Sequence, residues 1–320
     1  MFRYILLFII NLFVITSIVA ADLKPVTIGI VVPIQHRALD EMVDGFKKEL
    51  IKDYPNKIKF VVQNAQGDIN LQRSIIQKFN QDETKLIVAV ARPAMQMAST
   101  MVTKKPIISL AAALYEEQRQ QRSIKNITNV DDESAVIPGI NFFFATVPDL
   151  HKVTIVHTSA DKIMSQLVTF KKMAQEHRIE VQDIMIQQLS ELYSASSRIA
   201  EDSQAVFILK DNLIASGINT LINIANNRKL PLIASDGATV ESGAAFAVGF
   251  KEEQIGAEGA KIAARVLKGE DVSTIPVKFL DKKFLFINKE AVQKQNLNLN
   301  RIIANAKKYK YEVVVYGVRK

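Results

Sequence analysis

Seven short stretches of this chain carry the polar groups that could do chemistry. Asp211 and Asn212 follow the apolar run Ala205–Leu209 with only Lys210 between, and Asp236 stands in the same way behind Leu232–Ala234. A carboxylate so placed can pair with a cation or accept from a hydroxyl of a bound solute; equally, Asp or Asn before a helix caps its orphan N–H groups. Arg92, ahead of Pro93 and a helix start, can grip a carboxylate in two-pronged fashion, or simply be solvated. His36 and His157 each follow or end an apolar run and can donate to a ligand oxygen, while Tyr115 can stack on a planar ligand or pack at a crossover.

Other chemistries find little support. The chain has no cysteine, which excludes a thiol nucleophile, a disulfide scaffold and a zinc-thiolate or iron-sulfur site. Its four histidines, at 36, 151, 157 and 177, share no close metal spacing. Gly-x-Ser-x-Gly, Gly-x-x-x-x-Gly-Lys and Gly-x-Gly-x-x-Gly are missing, and Ser242–Ala245 is no substitute. A non-enzyme without cofactor or metal is the expectation. The net charge of +8 comes from lysines scattered along amphipathic segments, with no aromatic interleaving, so nucleic acid is not an expected partner.

The elements that must position these groups alternate strand and helix. Strands are expected at Thr27–Val32, Ile58–Val62, Leu86–Val90, Pro106–Leu110, Val153–His157, Glu180–Ile186, Ala205–Leu209, Leu232–Ala234 and Ala247–Phe250, with a further candidate at Ile127–Val130. Runs apolar on both faces suit buried parallel strands. Between them, helical periodicity marks Leu71–Phe79, Ala94–Thr103, Ala135–Thr146, Lys162–His177, Ala215–Asn227 and Gln254–Lys268. The first intervening helix puts Leu39, Met42, Val43, Phe46 and Leu50 on one face, with Asp40 and Glu41 in its first turn and Lys47 and Lys48 toward its end, as the dipole favours.

At about 150 residues per domain the length suits two lobes. The alternation breaks between Ala111 and Glu133 and a new strand series begins at Val153, so the fold expected is α/β: two Rossmann-like lobes with parallel sheets joined by a hinge. Lobe 1 is assigned residues 22–130 plus about 252–275, and lobe 2 residues 131–251 plus about 276–300. Residues 301–320, with Val313–Val315, read as a tail or an added strand.

Ahead of the lobes, Arg3 precedes an apolar stretch from Ile5 to Ala21 that ends in small residues, the layout of a secretory signal peptide over 1–21. Cleavage after Ala21 takes 21 of the 320 residues and leaves 299. A retained membrane anchor is the alternative; a lipid anchor is not expected, because no cysteine follows the apolar run. The localisation expected is the periplasm.

In open parallel sheets ligands bind beyond the carboxyl ends of the strands, where helix N-termini point outward. That rule selects Pro33–Arg37, Gln63–Asp68, Ala91–Pro93 and Ala111–Tyr115 in the first lobe, and Thr158–Lys162, Lys210–Asn212 and Ser235–Gly237 in the second. The ligand-binding candidates they supply are His36, Arg37, Asn64, Gln66, Arg92, Pro93, Ala112, Tyr115, His157, Ser159, Asp211, Asn212 and Asp236.

Several strings, in order, resemble one family. His36-Arg37-Ala38-Leu39-Asp40, Gln63-Asn64-Ala65-Gln66-Gly67-Asp68 and Ala91-Arg92-Pro93-Ala94 in the first half, with Asp211-Asn212, Ser235-Asp236, Val240-Glu241-Ser242-Gly243-Ala244 and Gly256-Ala257-Glu258-Gly259-Ala260 in the second, are similar to ABC-transporter solute-binding proteins of the tryptophan/tyrosine-binding type. The resemblance spans about residues 26–297. It implies a type I periplasmic-binding fold, a monomer whose lobes close on a small-molecule solute and deliver it to a membrane permease energised by a separate ATPase. A ligand-sensing protein that signals to a membrane receptor is the alternative. The chain departs from the family pattern at Arg37, at Arg92, at Leu110-Ala111-Ala112-Ala113, which lacks an acid, and at Thr158-Ser159-Ala160-Asp161. The ligand implied is an aromatic or other amino acid, with Asp211 or Asp236 on its ammonium and Arg92 or helix N–H groups on its carboxylate; a different small anion or a non-amino-acid solute is the competing reading.

Overall fold

The structure, a computed structural model, describes residues 25–317 apart from Ala113, Tyr115 and Arg122. The signal segment 1–21 and the candidate Tyr115 lie outside the described residues. In chain order the first half comprises β1 (Val26–Val32), α1 (Arg37–Asp53), β2 (Ile58–Asn64), α2 (Ile69–Gln81), β3 (Leu86–Val90), α3 (Ala91–Met101), β4 (Ile107–Leu110), α4 (Glu116–Gln121) and β5 (Ile127–Asp131). Then come α5 (Val136–Thr146), β6 (Lys152–His157), α6 (Asp161–Glu176), β7 (Glu180–Met185), α7 (Leu192–Ser197), β8 (Val206–Phe207), α8 (Asn212–Ser216), α9 (Ile218–Arg228), β9 (Leu232–Ala234), α10 (Gly237–Ser242) and β10 (Phe246–Gly249). The chain ends with α11 (Glu252–Leu267), β11 (Lys278–Phe279), β12 (Phe284–Asn288), α12 (Lys289–Lys294), α13 (Leu299–Tyr309) and β13 (Glu312–Tyr316).

Two sheets result, one per lobe. The first has the order β11-β5-β4-β3-β1-β2, parallel in every described pairing. The second has the order β13-β12-β10-β9-β8-β6-β7 and is parallel except where β12 runs against β10. β3 and β4 are buried along their whole length, which is why they read as unbroken apolar runs. Each sheet carries an apolar cluster on both faces, the first lobe around Phe46 and Phe79 and the second around Phe143 and Phe286.

Among the described residues three short connections pass between the lobes, after Asp131, after Gly249 and after Phe279. The second of them returns α11 to the first lobe, where it lies along α1. Two glycines make this close approach possible: a Cβ at Gly256 would collide with the carbonyl of Met42, and one at Gly45 with the carbonyl of Glu253.

The structure differs from the sequence-based reading in four places. The helix expected over Ala215–Asn227 is two helices: Asp211 caps α8 at residue 212, and the chain turns at Gly217, where any side chain would strike Leu189. A strand at Phe284–Asn288 went unread because Lys282 and Lys283 lead into it after a non-repeating stretch. Residues 301–316 are no tail, since β13 pairs with β12 in register from Phe284↔Glu312 to Asn288↔Tyr316, and β11, just beyond the boundary drawn at 275, joins the first sheet beside β5.

Candidate functional site

A cleft of about 840 Å³ opens between the lobes at the carboxyl ends of their strands. From the first lobe, the turn after β1 contributes Ile34 and His36, the first turn of α3 contributes Arg92 and Pro93, and α1, α2 and α3 further along contribute Met42, Gln72 and Met97. The second lobe faces them with Thr158–Ile163, Asp211–Leu213 and Asp236. Ala91 and Ala111, both lining the cleft where β3 and β4 end, hold φ of 62° and 56°. That left-handed backbone is costly for a residue with a Cβ, and such strain persists where the surroundings enforce it. The Ser109 hydroxyl supplies part of that enforcement by donating to the Ala112 carbonyl at 2.8 Å.

Of the residues selected from sequence, His36, Arg92, Pro93, Ser159, Asp211, Asn212 and Asp236 line the cleft. The other described candidates lie elsewhere. Arg37 projects from the start of α1 and pairs with Glu41 at 2.9 Å and with Glu241 of α10, across the gap between lobes, at 2.7 Å. Asn64 donates to Gln35 and accepts from the Gln66 backbone, a turn that presents Gly67 and Asp68 to the cleft rather than Asn64 or Gln66. Ala112 is fully buried behind the wall. His157 is also buried; its Nδ1 lies 2.8 Å from the Thr158 carbonyl, which can only accept, so the ring carries its proton there.

Both second-lobe aspartates act as caps. Asp211 Oδ1 accepts from the backbone N–H groups of Leu213 and Ile214, and its Oδ2 from the N–H and hydroxyl of Thr158. Asp236 accepts from the Thr239 N–H and hydroxyl, one on each oxygen, at 2.7 Å. Their carboxylates fix the loops and stand already hydrogen-bonded before any solute arrives.

Sequence reasoning missed the ionic cluster at the crossover end of the cleft. Asp132, in the first connection between lobes, accepts from Lys210 at 2.6 Å and from Lys162 at 3.4 Å, and all three side chains are at most 10% exposed. Burial alone would raise the Asp132 carboxyl, but the two ammonium groups outweigh it and hold it below the ordinary carboxylate range. Burial likewise opposes the charge on Lys210, yet Asp132 and Glu252 hold that ammonium above its usual value. Neighbouring Glu133 takes Arg92 at 2.8 Å and Lys162 at 3.7 Å. Glu252, the first residue of α11, completes the group: it is 5% exposed and lines the cleft, and its Oε2 has no hydrogen-bond partner. Burial pushes its carboxyl well above the usual range, and Lys210 opposes this only in part. In sequence Glu252 looks like an ordinary first-turn acid; the signal that singles it out is its place directly behind a strand end, Gly249-Phe250-Lys251, where ligands bind.

Two lobes with polar groups facing one another suit capture of a small solute. A profile of the ABC transporter substrate binding protein family matches residues 27–310. An uncharacterized protein of Rickettsia prowazekii (strain Madrid E) is 31% identical over 283 residues, 88% of this chain and 89% of that protein. A tyrosine-binding protein of Clostridioides difficile (strain R20291) is 30% identical over 295 residues, 89% of this chain and 85% of that one. Among solved structures, the ABC domain in complex with L-Trp from Streptococcus pneumonia superposes with a TM-score of 0.81 at 22% identity, covering 91% of this chain and all of that one. The family is one of solute-binding proteins and not of enzymes, its partners a small-molecule ligand and an ABC permease. Among the described residues no helix is long and apolar enough to cross a membrane. The chain belongs to the ABC transporter substrate-binding protein family, with the type I periplasmic-binding fold.

Proposed function

We propose that the chain is the exported solute-binding component of an ABC uptake transporter and that it captures an amino acid, an aromatic one first, between its lobes. The observation that carries this reading is the cleft itself, because its polar groups come from both lobes. A ligand stabilises closure only through contacts it makes with both sides. The apolar side chains of Ile34, Met42 and Met97 on the first-lobe wall supply a surface for a hydrophobic side chain. The tyrosine-binding relative and the L-Trp complex support the aromatic class. The signal layout of residues 1–21 supports export to the periplasm.

Native mass spectrometry of protein taken from the periplasm tests solute and location together, since a retained ligand reports its own mass. Thermal unfolding against panels of amino acids, nucleosides and sugars is the second measurement, because a ligand specific to the folded state adds RT ln(1 + [L]/Kd). A bound amino acid in the first and a matching rise in Tm in the second are expected. Protein recovered only in the cytosol, or stabilised by none of the panels, defeats the proposal.

A further inference from the structure

We infer that Glu252 is the specificity-determining residue of the cleft: it selects solutes by a protonated amine, and a solute carboxylate is dispensable. This rests on the solute-capture reading above and deepens it.

The inference starts from which charges in the cleft are already spent. Every described cation at its crossover end has an acidic partner: Lys210 is held by Asp132, Lys162 by Asp132 and Glu133, and Arg92 by Glu133. A solute carboxylate at this end would have to share a cation that already holds an acid, as on the Arg92 guanidinium, which holds Glu133 while its buried Nε has no hydrogen-bond partner. On the acidic side, the oxygens of Asp132, Asp211 and Asp236 all accept from groups of the protein itself. Glu252 differs from them: it is only 5% exposed, lines the cleft, and carries a buried oxygen that accepts from nothing. A buried carboxyl without partners is costly, and a donor that neutralises it recovers that cost.

Charge balance points the same way. Asp68, Asp132, Asp161, Asp211, Asp236 and Glu252 line the cleft against Arg73, Arg92, Lys162 and Lys210, so it carries an excess of acid in a chain whose net charge is +8. A cationic solute fits that excess. An ammonium is the donor best suited to Glu252, because it brings both the charge and up to three N–H groups to a desolvated carboxylate.

Matched triplets of probes separate the amine from the carboxylate: L-tyrosine, tyramine and 3-(4-hydroxyphenyl)propionate, and L-leucine, isoamylamine and 4-methylpentanoate. Binding of each to the purified chain is measured by calorimetry and thermal shift, in the wild type and in Glu252→Gln. Within whichever triplet binds, the amine is expected to bind within about tenfold of the amino acid and the deaminated acid at least a hundredfold more weakly, a spread that corresponds to roughly 1.4 and 2.7 kcal/mol. Glu252→Gln, which keeps size and removes the charge, should weaken the amine at least tenfold. A deaminated acid that binds as well as its amine overturns the inference, as does an E252Q variant with unchanged amine affinity. Because the triplets are compared in the wild-type protein, the inference stays exposed even if the variant fails to fold. Stabilisation by neutral sugars or nucleosides alone overturns it while leaving solute capture standing, whereas no stabilisation by any probe defeats both.

Discussion

Asp132→Asn removes the one carboxylate shared by two buried lysines at the crossover. Asp132 bonds Lys210 at 2.6 Å, and the side chains are 6% and 9% exposed, so Lys210 would be left with only the more distant acids Glu252 and Asp236. Lys162 keeps Glu133 at 3.7 Å and loses less. Breaking a buried pair from one side costs about 3–5 kcal/mol, because the surviving charge has neither water nor partner. At about 2–4 °C per kcal/mol for a large domain, unfolding should fall on the order of 10 °C. Urea midpoints followed by circular dichroism read the loss, with tryptic protection reporting the lobes separately, since two-lobed chains need not unfold in one step. The double variant D132N/K210M should recover most of the loss, because a neutral pair of similar volume leaves no charge to be desolvated. The Asp132 carboxyl is held below its unfolded value, so its contribution is present above the ordinary carboxylate range and is lost as pH falls through the folded value. The wild type should therefore lose its advantage over D132N in acid. A single variant that costs under about 1 kcal/mol, or a double variant no better than D132N, refutes the assignment of Asp132 as the electrostatic centre of the crossover.

Glu252→Gln should trade affinity for stability: the folded-state carboxyl is raised above its unfolded value, so its favourable contribution is complete in acid and is lost as pH rises through that raised value. The Tm of E252Q relative to wild type should thus climb as pH rises from the ordinary glutamate value near 4.3 toward the raised folded value; a difference flat with pH contradicts it. Arg37→Ala breaks the exposed bridge to Glu241 across the lobes, a bond worth at most about 1 kcal/mol in water. Affinity for a solute that closes the cleft should drop by no more than about fivefold, and high salt should erase the difference in calorimetry. Gly256→Ala should be far more damaging than its size suggests, costing about 3 kcal/mol or more in urea unfolding, because the added methyl drives α11 off α1 at the Met42 carbonyl.

Local physics was legible in the sequence wherever it acts alone. β1, β3 and β9 are apolar on both faces because both faces are covered, and that burial shows in the letters of each run. β12 and β13 were not legible in the same way: whether Phe284–Asn288 and Val313–Val315 form strands depends on finding each other and β10, pairings separated by many residues. Similarly, the rule that ligands meet strand carboxyl ends located the loops of the cleft, but could not divide capping from binding, because both tasks draw on Asp and Asn. Asp211 and Asp236 serve as caps. Glu252 carried only its place behind a strand end, and Asp132 no local mark at all, since their meaning comes from two crossings of the chain and the turn after β8, which bring residues 132, 210 and 252 into one dry corner.

The placement of these charges bears on how such a cleft can close. A hinge moves least at the connections between lobes and most at the far edges. Asp132 and Glu133 sit in a connection, and they are tied to Arg92 on one lobe and to Lys162 and Lys210 on the other. Bonds at that position need little change in length when the lobes rotate, so the crossover can stay electrostatically neutral in open and closed forms alike. Arg37 and Glu241 lie on helices of opposite lobes, and their 2.7 Å bond cannot survive separation. Glu41, at 2.9 Å from Arg37 on the same helix, can keep that guanidinium partnered when the lobes part. The rim thus offers little net preference for either state. Selection between them falls to what occupies the cleft, because a solute favours closure only through contacts it makes with both lobes at once.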